Sequence, residues 1–443
     1  MKILLINPSW GRTPAGARRY RRAWPPLDLL VAAAWLRQAG HQVSLVDARA
    51  SGAKLEDIRV EADRADLILL QSTPLDRWQC PDLNWRYLCE LARFLAAGRL
   101  VLAGVHGTLR PALLLRETGA AAVIRGEPER SMYELAAAGG DPRGLAGLSY
   151  LAGDRVIHEK DRDRSELDAL PAPAYDLINP DDYAYELLGS RLALLETSRG
   201  CPYTCTFCLK AMSGSGYRTK SLARVISEIE TVVGQWGARH IYFMDLEFTL
   251  VRERTLALCR ELVKMKAAFH WCCQTRVDTV DPELLAWMKA AGCRLVHFGI
   301  ESGTARLLDA TRKKTTLDQA RQAVAWCRRQ GLATACFFLF GLPGETGRDR
   351  RAALTLAKAL NPTYASFHVA APYPGTDLNR LTDSRTPFPL CLSEEHDLKI
   401  LARSARRAYL AFYLRPGYIL ARLREGSLRD HLQTLTLFKE FVR

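Results

Sequence analysis

Three cysteines lie within eight residues of one another near the middle of the chain. Cys201, Cys205 and Cys208 form a Cys-x-x-x-Cys-x-x-Cys spacing. Thiolates are the usual protein ligands of iron–sulfur clusters, and a cubane cluster ordinarily takes four. Because no fourth cysteine is close in sequence, the pattern predicts a 4Fe-4S cluster with one iron open to a ligand that is not protein. Gly200 and Pro202 interrupt regular structure here, which favours a short loop around the cluster.

Two other interpretations of these thiols are a structural zinc site and ordinary buried cysteines. Structural zinc normally takes four ligands, often as two short-spaced pairs, and no second pair follows Cys208. The remaining cysteines are scattered and mostly in apolar contexts, so they are predicted to be reduced and buried. This prediction includes the adjacent Cys272 and Cys273. The cluster is therefore the favoured interpretation of the triad.

The triad, with Phe207 just before its third cysteine, resembles the signature of the radical S-adenosylmethionine (SAM) enzymes. The resemblance implies that SAM chelates the open iron through its amino and carboxylate groups. An electron from the reduced cluster then cleaves SAM to methionine and a 5′-deoxyadenosyl radical, which abstracts hydrogen from substrate. Because the cofactors carry such chemistry, no catalytic acid–base pair or nucleophile is assigned to the chain.

Residues 1–135 alternate short apolar runs with amphipathic helices, which predicts a doubly wound, Rossmann-like α/β domain with a parallel sheet. Ligands of such sheets bind at the carboxyl ends of the strands. A nicotinamide cofactor is not expected, because no Gly-x-Gly-x-x-Gly follows the first strand. Instead, Asn7-Pro8, Gly104-x-His106 and Arg125-Gly126-Glu127 resemble strand ends of the cobalamin-binding domains that precede many radical SAM domains.

The resemblance implies that this domain binds cobalamin, as methylcobalamin, with the corrin facing the radical SAM barrel. The residues assigned to it are Asn7, Pro8, Ser9, Pro26, Asp47, Ser72, Thr73, Gly104, Val105, His106, Gly107, Arg125, Gly126 and Glu127. A related family ligates cobalt through the histidine of an Asp-x-His-x-x-Gly string, which this chain lacks. We therefore expect no protein histidine on cobalt, which favours transfer of a methyl radical. Nitrogen hyperfine splitting from a protein ligand, in the electron paramagnetic resonance spectrum of the cob(II)alamin form, would contradict this hypothesis.

Glycine, proline and charged residues dominate residues 136–190, which are predicted to be a linker with a hairpin around Gly153-Asp154. Residues 191–385 contain six strand–helix units, which suit the partial (β/α)6 barrel of radical SAM enzymes. Chemistry in barrels lies at the carboxyl ends of the strands. The resemblance therefore assigns SAM contacts to Phe207, Asp245, Glu247, Arg276, Glu301, Ser302 and Gly341. Whether Asp245 or Glu247 receives the SAM amino group is left open, and His240 and His297 are predicted to be core or rim residues.

Residues 386–443 are predicted to form a helical, basic tail rich in arginine and aromatic residues. Such a tail either contacts a lipid surface or packs on a flank of the barrel with its guanidinium groups in water. The net charge of +14 admits an acidic ligand or RNA, but arginines on solvated helical faces account for much of it, and nucleic acid is not expected as a partner. No apolar run approaches the length of a membrane span, and no signal peptide is evident. We therefore expect a cytoplasmic protein.

The combined resemblance implies a cobalamin-dependent radical SAM methyltransferase that acts on an unactivated carbon. One SAM would methylate cob(I)alamin, and a second would generate the substrate radical that collects the methyl group. The expected substrate is a small molecule, a lipid-like molecule or a peptide, and the expected electron donor is a protein such as flavodoxin or ferredoxin. One alternative is a cyclase or oxidoreductase without methyl transfer. Another is a tRNA methylthiotransferase. Such enzymes carry a second cluster on amino-terminal cysteines, and this chain has only Cys80 and Cys89 in that region, which argues against this alternative.

Overall fold

The computed structural model describes residues 1–9, 23–72, 85–95, 97–266, 268–393 and 397–425. Thr73 and Cys80 lie outside these residues. The chain divides into two compact units. The first comprises Met1–Ala184, Arg191–Cys201 and Leu209–Ala238, and the second comprises Tyr185–Ser190, Pro202–Cys208 and Arg239–Arg443. The predicted domain boundaries at residues 135, 190 and 385 stay predictions.

One seven-stranded sheet lies in the first unit, in the order β2-β1-β3-β4-β5-β6-β7. Its strands are β1 (Lys2–Asn7), β2 (Gln42–Asp47), β3 (Leu67–Gln71), β4 (Leu100–Ala103), β5 (Ala122–Ile124), β6 (Leu148–Ala152) and β7 (Arg155–His158). The first five are parallel, and β6 and β7 add as an antiparallel hairpin. The predicted hairpin around Gly153-Asp154 therefore forms and extends this sheet.

Helices cover both faces of the first sheet. They are α1 (Leu27–Gln38), α2 (Leu55–Asp63), α3 (Trp85–Phe94), α4 (Val105–Leu109), α5 (Pro111–Thr118) and α6 (Pro128–Ala137). Ile3 and Leu5 of β1 pack with α1 and α6 on one face, whereas Leu4 and Ile6 pack with α2, α3 and α5 on the other. Burial on both faces explains why the central strands read as continuous apolar runs, and it confirms the doubly wound prediction.

The short helix α4 occupies a segment that the sequence predicted as a loop. Its first residue follows Gly104, whose φ of +106° lies in the left-handed region that a glycine adopts without strain. The Thr108 hydroxyl donates to the Gly104 carbonyl at 2.9 Å and closes the turn. Five residues are too few for an apolar period to be visible in the sequence, so the pattern did not reveal this helix.

Short strands connect the two sheets along the chain. They are β8 (Ala184–Tyr185), β9 (Gly189–Ser190), β10 (Leu192–Leu195), β11 (Ser198–Arg199) and β12 (Arg218–Thr219). Within the first unit, β11 and β12 form an antiparallel pair that flanks the segment containing the cysteine motif. Helix α7 (Leu222–Glu230) follows and continues as a π-helical turn over Thr231–Gln235.

Five parallel strands lie side by side in the second unit, in the order β13-β14-β15-β16-β17. They are β13 (His240–Phe243), β14 (His270–Thr275), β15 (Cys293–Glu301), β16 (Ala333–Phe340) and β17 (Tyr364–Val369). With β10, all six strands predicted for residues 191–385 are present. Among the described strands β17 pairs with β16 alone, so the sheet has an open edge there, as a partial barrel requires. Strand β15 runs three residues past the predicted Phe298, so Glu301 ends the strand.

Helices alternate with these strands. They are α8 (Arg252–Lys264), α9 (Pro282–Ala290), α10 (Ala305–Ala310), α11 (Leu317–Arg329) and α12 (Gly347–Leu360), followed by α13 (Leu398–Tyr413) and α14 (Pro416–Glu425) in the tail. Asp281 caps α9 and Thr316 caps α11, because each side chain accepts a hydrogen bond from a backbone N–H of the first helical turn. Helix α10 was not predicted.

The tail packs on the edge strand β17 through tyrosine hydroxyls. The Tyr413 hydroxyl accepts from the Ala365 N–H at 3.0 Å and donates to the Ala365 carbonyl at 2.9 Å. The Tyr409 hydroxyl accepts from the Phe367 N–H at 3.0 Å. These hydroxyls satisfy backbone groups that an edge strand otherwise leaves unpaired. The structure thus shows the second predicted arrangement of the tail, packing on the barrel. None of the described helices is long and apolar enough to cross a membrane.

Replacing Tyr413 by phenylalanine should reduce the free energy of unfolding by about 1–3 kcal/mol, because the buried N–H and carbonyl of Ala365 then lose their partner. The change can be measured as a shift in the urea midpoint by tryptophan fluorescence. Tyr418→Phe is the graded control, since the Tyr418 hydroxyl donates to a strand-edge carbonyl, that of Thr363, at 2.7 Å. Equal losses for the two variants would contradict the role assigned to Tyr413.

Candidate active site

Contacts within the second unit fix the later part of the cysteine loop. The Thr206 N–H donates to the Thr311 carbonyl, and the Thr206 carbonyl accepts from the Leu378 N–H, both at 3.0 Å. Phe207 packs against an apolar cluster that includes Leu307 and Leu378. A turn brings the Cys208 N–H to the Cys205 carbonyl at 3.2 Å. The loop therefore has a defined backbone path that depends on packing as well as on its own glycine and proline.

The three motif cysteines differ from the others in exposure. Cys201, Cys205 and Cys208 are partly exposed, whereas the other described cysteines are all buried. No cysteine in the described part of the chain forms a disulfide. Cys272 and Cys273 are fully buried in β14, as predicted. Among the described cysteines, only those of the triad therefore offer accessible thiols to an inorganic ligand.

Two buried cations act on the Cys205 thiol. The guanidinium of Arg276 stacks 3.7 Å above the ring of Tyr203, within the cysteine loop, and forms a forked pair with Asp278 at 2.8 and 2.9 Å. Burial lowers the pKa of Lys313, but the charges of Glu301 and Cys205 raise it above its usual value. Each of these cations is also paired with a carboxylate, Arg276 with Asp278 and Lys313 with Glu301. The sequence pointed to Arg276 but gave no signal for Tyr203 or Lys313.

Glu301 ends β15 in a strained conformation. Its φ is +66°, a region that residues other than glycine rarely adopt, and the ladder to β16 shifts register at this point. Its carboxylate accepts from Lys313 at 2.9 Å in a buried ion pair. A Cβ on Gly299 would lie 2.3 Å from the Glu301 carboxylate. Such strain clusters at functional sites, which supports the predicted contact of Glu301 and the adjacent buried Ser302 with SAM.

Asp245 and Glu247 are both buried after β13. One oxygen of Glu247 accepts from the Thr275 hydroxyl, the Arg276 N–H at 3.0 Å and the Thr279 hydroxyl at 2.9 Å. Burial raises the pKa of Glu247 despite these bonds. Glu247 therefore holds the loop that carries Arg276. Which of the two acids contacts SAM stays open.

Gly341 follows β16 with φ +88° and lies under the tail helix α13. A Cβ at this position would lie 2.8 Å from a methyl of Leu401. The Gly341 N–H donates to Glu345 at 2.6 Å, and Glu345 in turn pairs with Arg350 at 3.0 Å. The glycine is therefore required by close packing, and its predicted contact with SAM stays a prediction.

Arg199, two residues before the first motif cysteine, is buried among three carboxylates. It lies 3.0 Å from Glu127, 2.7 Å from Glu129 and 2.7 Å from Glu196. Burial alone would lower the pKa of Arg199, but these carboxylates raise it well above its ordinary value. Glu127 also pairs with Arg218. Glu127 precedes α6 and Glu129 lies in its first turn. The sequence gave no indication that they pair with an arginine beside the cysteine motif.

The predicted cobalamin residues Asn7 and Asp47 contact each other at the carboxyl edge of the first sheet. The Asn7 amide donates to Asp47 at 3.0 Å, and Asp47 also accepts from the Tyr183 hydroxyl at 2.9 Å. Burial raises the pKa of Asp47. The amide oxygens of Asn7 and of Gln71, which end neighbouring strands, are buried without a hydrogen-bond partner in the described part of the chain. Leaving two buried acceptors unpaired costs folding free energy, and a ligand with N–H donors would remove this cost by bonding to them.

Ser72 and His106 are also brought together at this edge. The Ser72 hydroxyl lies 3.1 Å from His106 Nδ1 and accepts from the His106 N–H at 3.3 Å. Gly107 packs so closely that a Cβ there would lie 2.8 Å from Val123. Of the other residues predicted here, Pro8, Pro26 and Val105 are buried and Ser9 is half-buried.

A cavity of about 370 Å³ opens beside the last parallel strand of the first sheet. It is lined by Thr108, Gly126 and Glu127, among others. Gly126 has φ +77°, and its N–H donates to the Thr108 hydroxyl at 2.9 Å. The Arg125 side chain is directed instead to Asp161, at 2.6 Å. The cavity has the size of a small-ligand pocket, and three predicted residues, Arg125, Gly126 and Glu127, line it.

Gly200 allows two backbone segments of the first unit to meet beside Cys201. Its φ is +85°, and a Cβ would lie 2.0 Å from the Gly216 carbonyl oxygen. Gly200→Ala should therefore displace the loop and lower the iron content of reconstituted protein severalfold. Gly216→Ala is a matched control, because a Cβ there meets nothing within 4 Å. Full iron loading of Gly200→Ala would show that the close contact is dispensable.

The residues present fit the three cofactors. Three accessible thiols beside cations suit a cluster with an open iron, and orphaned acceptors at the edge of a Rossmann-like sheet suit the amide side chains of a corrin. In the described ranges, no three His, Cys, Asp or Glu side chains form a group able to hold a single metal ion. The fold and the site together define an iron–sulfur enzyme with a second, cofactor-binding α/β domain.

Comparison with known proteins assigns the chain to a family. A model of the radical SAM superfamily matches residues 195–357, and a model of the B12 binding domain matches residues 16–136. The uncharacterized methyltransferase PH0819 of Pyrococcus horikoshii is 31% identical over 98% of this chain and 99% of its own length. The anaerobic magnesium-protoporphyrin IX monomethyl ester cyclase of Rubrivivax gelatinosus is 28% identical over 85% of this chain and 69% of its own.

Among solved structures, the radical SAM methyltransferase TsrM of Kitasatospora setae superimposes with a TM-score of 0.70, covering 86% of this chain and 76% of that one at 23% identity. This similarity shows a shared fold. The chain belongs to the radical SAM superfamily, among the members that carry a B12-binding domain. Its cofactors are a 4Fe-4S cluster, SAM and cobalamin.

Proposed function

We propose that this protein is a cobalamin-dependent radical SAM methyltransferase that acts on an unactivated carbon. The observation that carries the proposal is the match along 98% of the chain to a relative described as a methyltransferase. The accessible cysteine triad and the orphaned acceptors at the first sheet edge support it. When bound, the cluster and SAM supply hydrogen-atom abstraction, and cobalamin supplies the methyl group.

The chain's own residues bind and orient these groups. Cys201, Cys205 and Cys208 are proposed to hold the cluster, and Arg276 stacks on Tyr203 within the same loop. Asp245, Glu301 and Ser302 are proposed to bind SAM. Phe207 anchors the cysteine loop by packing in an apolar cluster. In the first unit, Asn7, Gln71, Ser72 and Gly126 are proposed to bind cobalamin at the carboxyl ends of the strands.

Two products formed together test the proposal. Reconstituted protein is incubated anaerobically with a reductant, an extract that contains candidate substrates, and SAM with a deuterated methyl group. We expect 5′-deoxyadenosine and S-adenosylhomocysteine to appear at comparable rates, with the deuterated methyl group on one extract component. Formation of 5′-deoxyadenosine alone would contradict methyl transfer.

A cyclase or oxidoreductase without methyl transfer is the second candidate function. The specific observation in its favour is the similarity to the Rubrivivax gelatinosus cyclase, which covers 85% of this chain. In the same experiment this activity would give 5′-deoxyadenosine without S-adenosylhomocysteine, so the two candidates predict different products.

The partners follow from the cofactors and from the tail. A reduced flavodoxin or ferredoxin is proposed as the electron donor, because the cluster must be reduced before each cleavage of SAM.

Peripheral contact with a membrane surface is proposed for the tail. Leu414 and Leu420 have exposed fractions of 55% and 53%, which supports this contact. Sedimentation with vesicles containing anionic lipid tests that contact. A cytoplasmic location is proposed because no described cysteine forms a disulfide.

A further inference from the structure

The two faces of the sheet in the second unit differ in character. On the helix-covered face Phe338, Phe340 and Phe367 are fully buried and contact one another at 5.3–5.7 Å between ring centroids. On the opposite face Gln274, Phe337, Leu339, Ser366 and His368 are half-buried. Strand register places these residues together, because Phe337 lies opposite Ser366 and Leu339 opposite His368. We call this second face the inner wall.

A connected row of rings runs along the inner wall. His297 contacts the ring of Tyr242 at 5.1 Å and that of Phe337 at 5.7 Å, and Phe337 stacks on His368 at 5.9 Å. Hydroxyls of Tyr242 and Tyr185 bond to the two ring nitrogens of His297 at 2.7 and 3.2 Å. The row is therefore preorganised, and its accessible surface consists of the faces and edges of Phe337 and His368.

Gln274 supplies a polar group beside this row. It lies opposite His297 in the ladder between β14 and β15. Its side-chain amide has no hydrogen-bond partner among the described residues, although its backbone carbonyl accepts from Phe248 at 3.1 Å. An amide has two N–H donors and one acceptor oxygen. It can bond a hydroxyl, carbonyl or N–H of a ligand that lies against the rings.

The five residues of the inner wall include no aspartate, glutamate, lysine or arginine. Burial lowers the pKa of His297, the next ring of the row, to about 3, so this imidazole is neutral near pH 7. Arg276 directly follows β14 and Glu301 is the last residue of β15, so both charged side chains lie at the carboxyl ends of the strands. A charged ligand group pressed against the wall would lose its hydration without gaining a counter-ion, at a large cost.

We propose that the part of the substrate that enters the partial barrel is an uncharged aromatic ring, stacked on Phe337 and His368 and hydrogen-bonded by Gln274. Offset stacking on aromatic side chains adds affinity beyond the burial of area. The proposal rests on the proposed function, because it assigns the substrate class of the same enzyme.

Small probes test the wall directly. Saturation-transfer difference NMR is recorded on the cofactor-loaded protein with phenol, cyclohexanol, benzoate and toluene. We expect phenol and toluene to bind at least fivefold more tightly than cyclohexanol, which has phenol's size without its planar π-face. Benzoate should bind at least fivefold more weakly than phenol. Binding of benzoate as tight as that of phenol would overturn the proposal.

Variants locate the binding. Phe337→Leu should weaken phenol and toluene at least fivefold, whereas Phe338→Leu, the same change on the opposite face, should leave both unchanged once its fold is verified by circular dichroism. Gln274→Leu should weaken phenol and spare toluene. Equal effects of Phe337→Leu and Phe338→Leu would overturn the assignment. Since probe binding needs no cleavage of SAM, this result is independent of the two-product assay, and either can fail while the other holds.

Discussion

Arg199→Met is expected to lower the free energy of unfolding by about 3–5 kcal/mol, because it leaves the buried carboxylates around it without their counter-ion. Glu129 and Glu196 have side-chain exposures of only 2%, so water cannot replace the guanidinium. Arg199→Lys should be intermediate, since one ammonium cannot reproduce the planar fork that serves several carboxylates. The urea midpoint, followed by tryptophan fluorescence, measures these differences.

The deficit of Arg199→Met should depend on pH in a defined direction. Without the arginine, burial raises the pKa of the remaining carboxyl groups, so the folded variant binds more protons than the unfolded chain. Its stability must then fall as pH rises and recover as pH is lowered toward 5. The control is Arg162→Met, whose partner Glu134 has a 27% exposed side chain and can be hydrated. A smaller loss is expected there, and it should stay constant from neutral pH down to about 5, because Arg162 lowers the pKa of Glu134 and that stabilisation is lost only in more acidic solution. A loss at Arg199 that stayed constant over the same range would contradict the carboxylate account.

Replacing any one of Cys201, Cys205 and Cys208 by alanine is expected to reduce formation of 5′-deoxyadenosine to background. Each supplies one of only three protein ligands, and a cluster with two cannot be held in a defined position. Iron content and the visible absorbance of the reconstituted protein should fall with the activity. The far-ultraviolet circular dichroism should not change, because the three thiols are partly exposed and fill no core volume.

A buried cysteine gives the matched comparison for the triad. Cys336→Ala removes a thiol from β16 that is fully buried and whose pKa is raised by burial. We expect a loss of stability of about 1–3 kcal/mol from the cavity, with iron content and 5′-deoxyadenosine formation retained in the folded fraction. If Cys336→Ala lost the cluster as completely as Cys205→Ala, solvent exposure would not distinguish cluster ligands from the other cysteines, and the assignment of the triad would be contradicted.

Arg199 and the cysteine triad are linked through the short segment that joins them. Arg199 pairs with Glu129 of α6 in the B12-binding domain and with Glu196 at the end of β10. Gly200 and Cys201 follow directly. We therefore expect Arg199→Lys, if it folds, to lose cluster occupancy before it loses cobalamin. Measuring both by metal analysis of one sample distinguishes a positioning role from general instability.

The sequence alone was enough for the architecture, and it also provided the proposed cluster ligands. Apolar runs that alternate with helices predicted both sheets, because a parallel sheet buried on both faces needs continuous apolar strands with helices between them. The cysteine triad was evident because the ligands lie on one short loop, so their spacing in sequence reflects their spacing around the cluster. Helix starts such as Asp281 and Thr316 were equally local, since a cap bonds within its own turn.

Only the tertiary structure decided which distant residues meet. The pairing of Arg199 with Glu127 and Glu129 joins positions about seventy residues apart, and sequence patterns carry no register between such segments. Three other features also depend on tertiary packing and were not predicted from the sequence. They are the stacking of Arg276 on Tyr203, the positive φ of Glu301 and the covering of β17 by Tyr409 and Tyr413. Periodicity along one strand or helix shows which face is buried, whereas the partner across that face depends on how the whole chain packs.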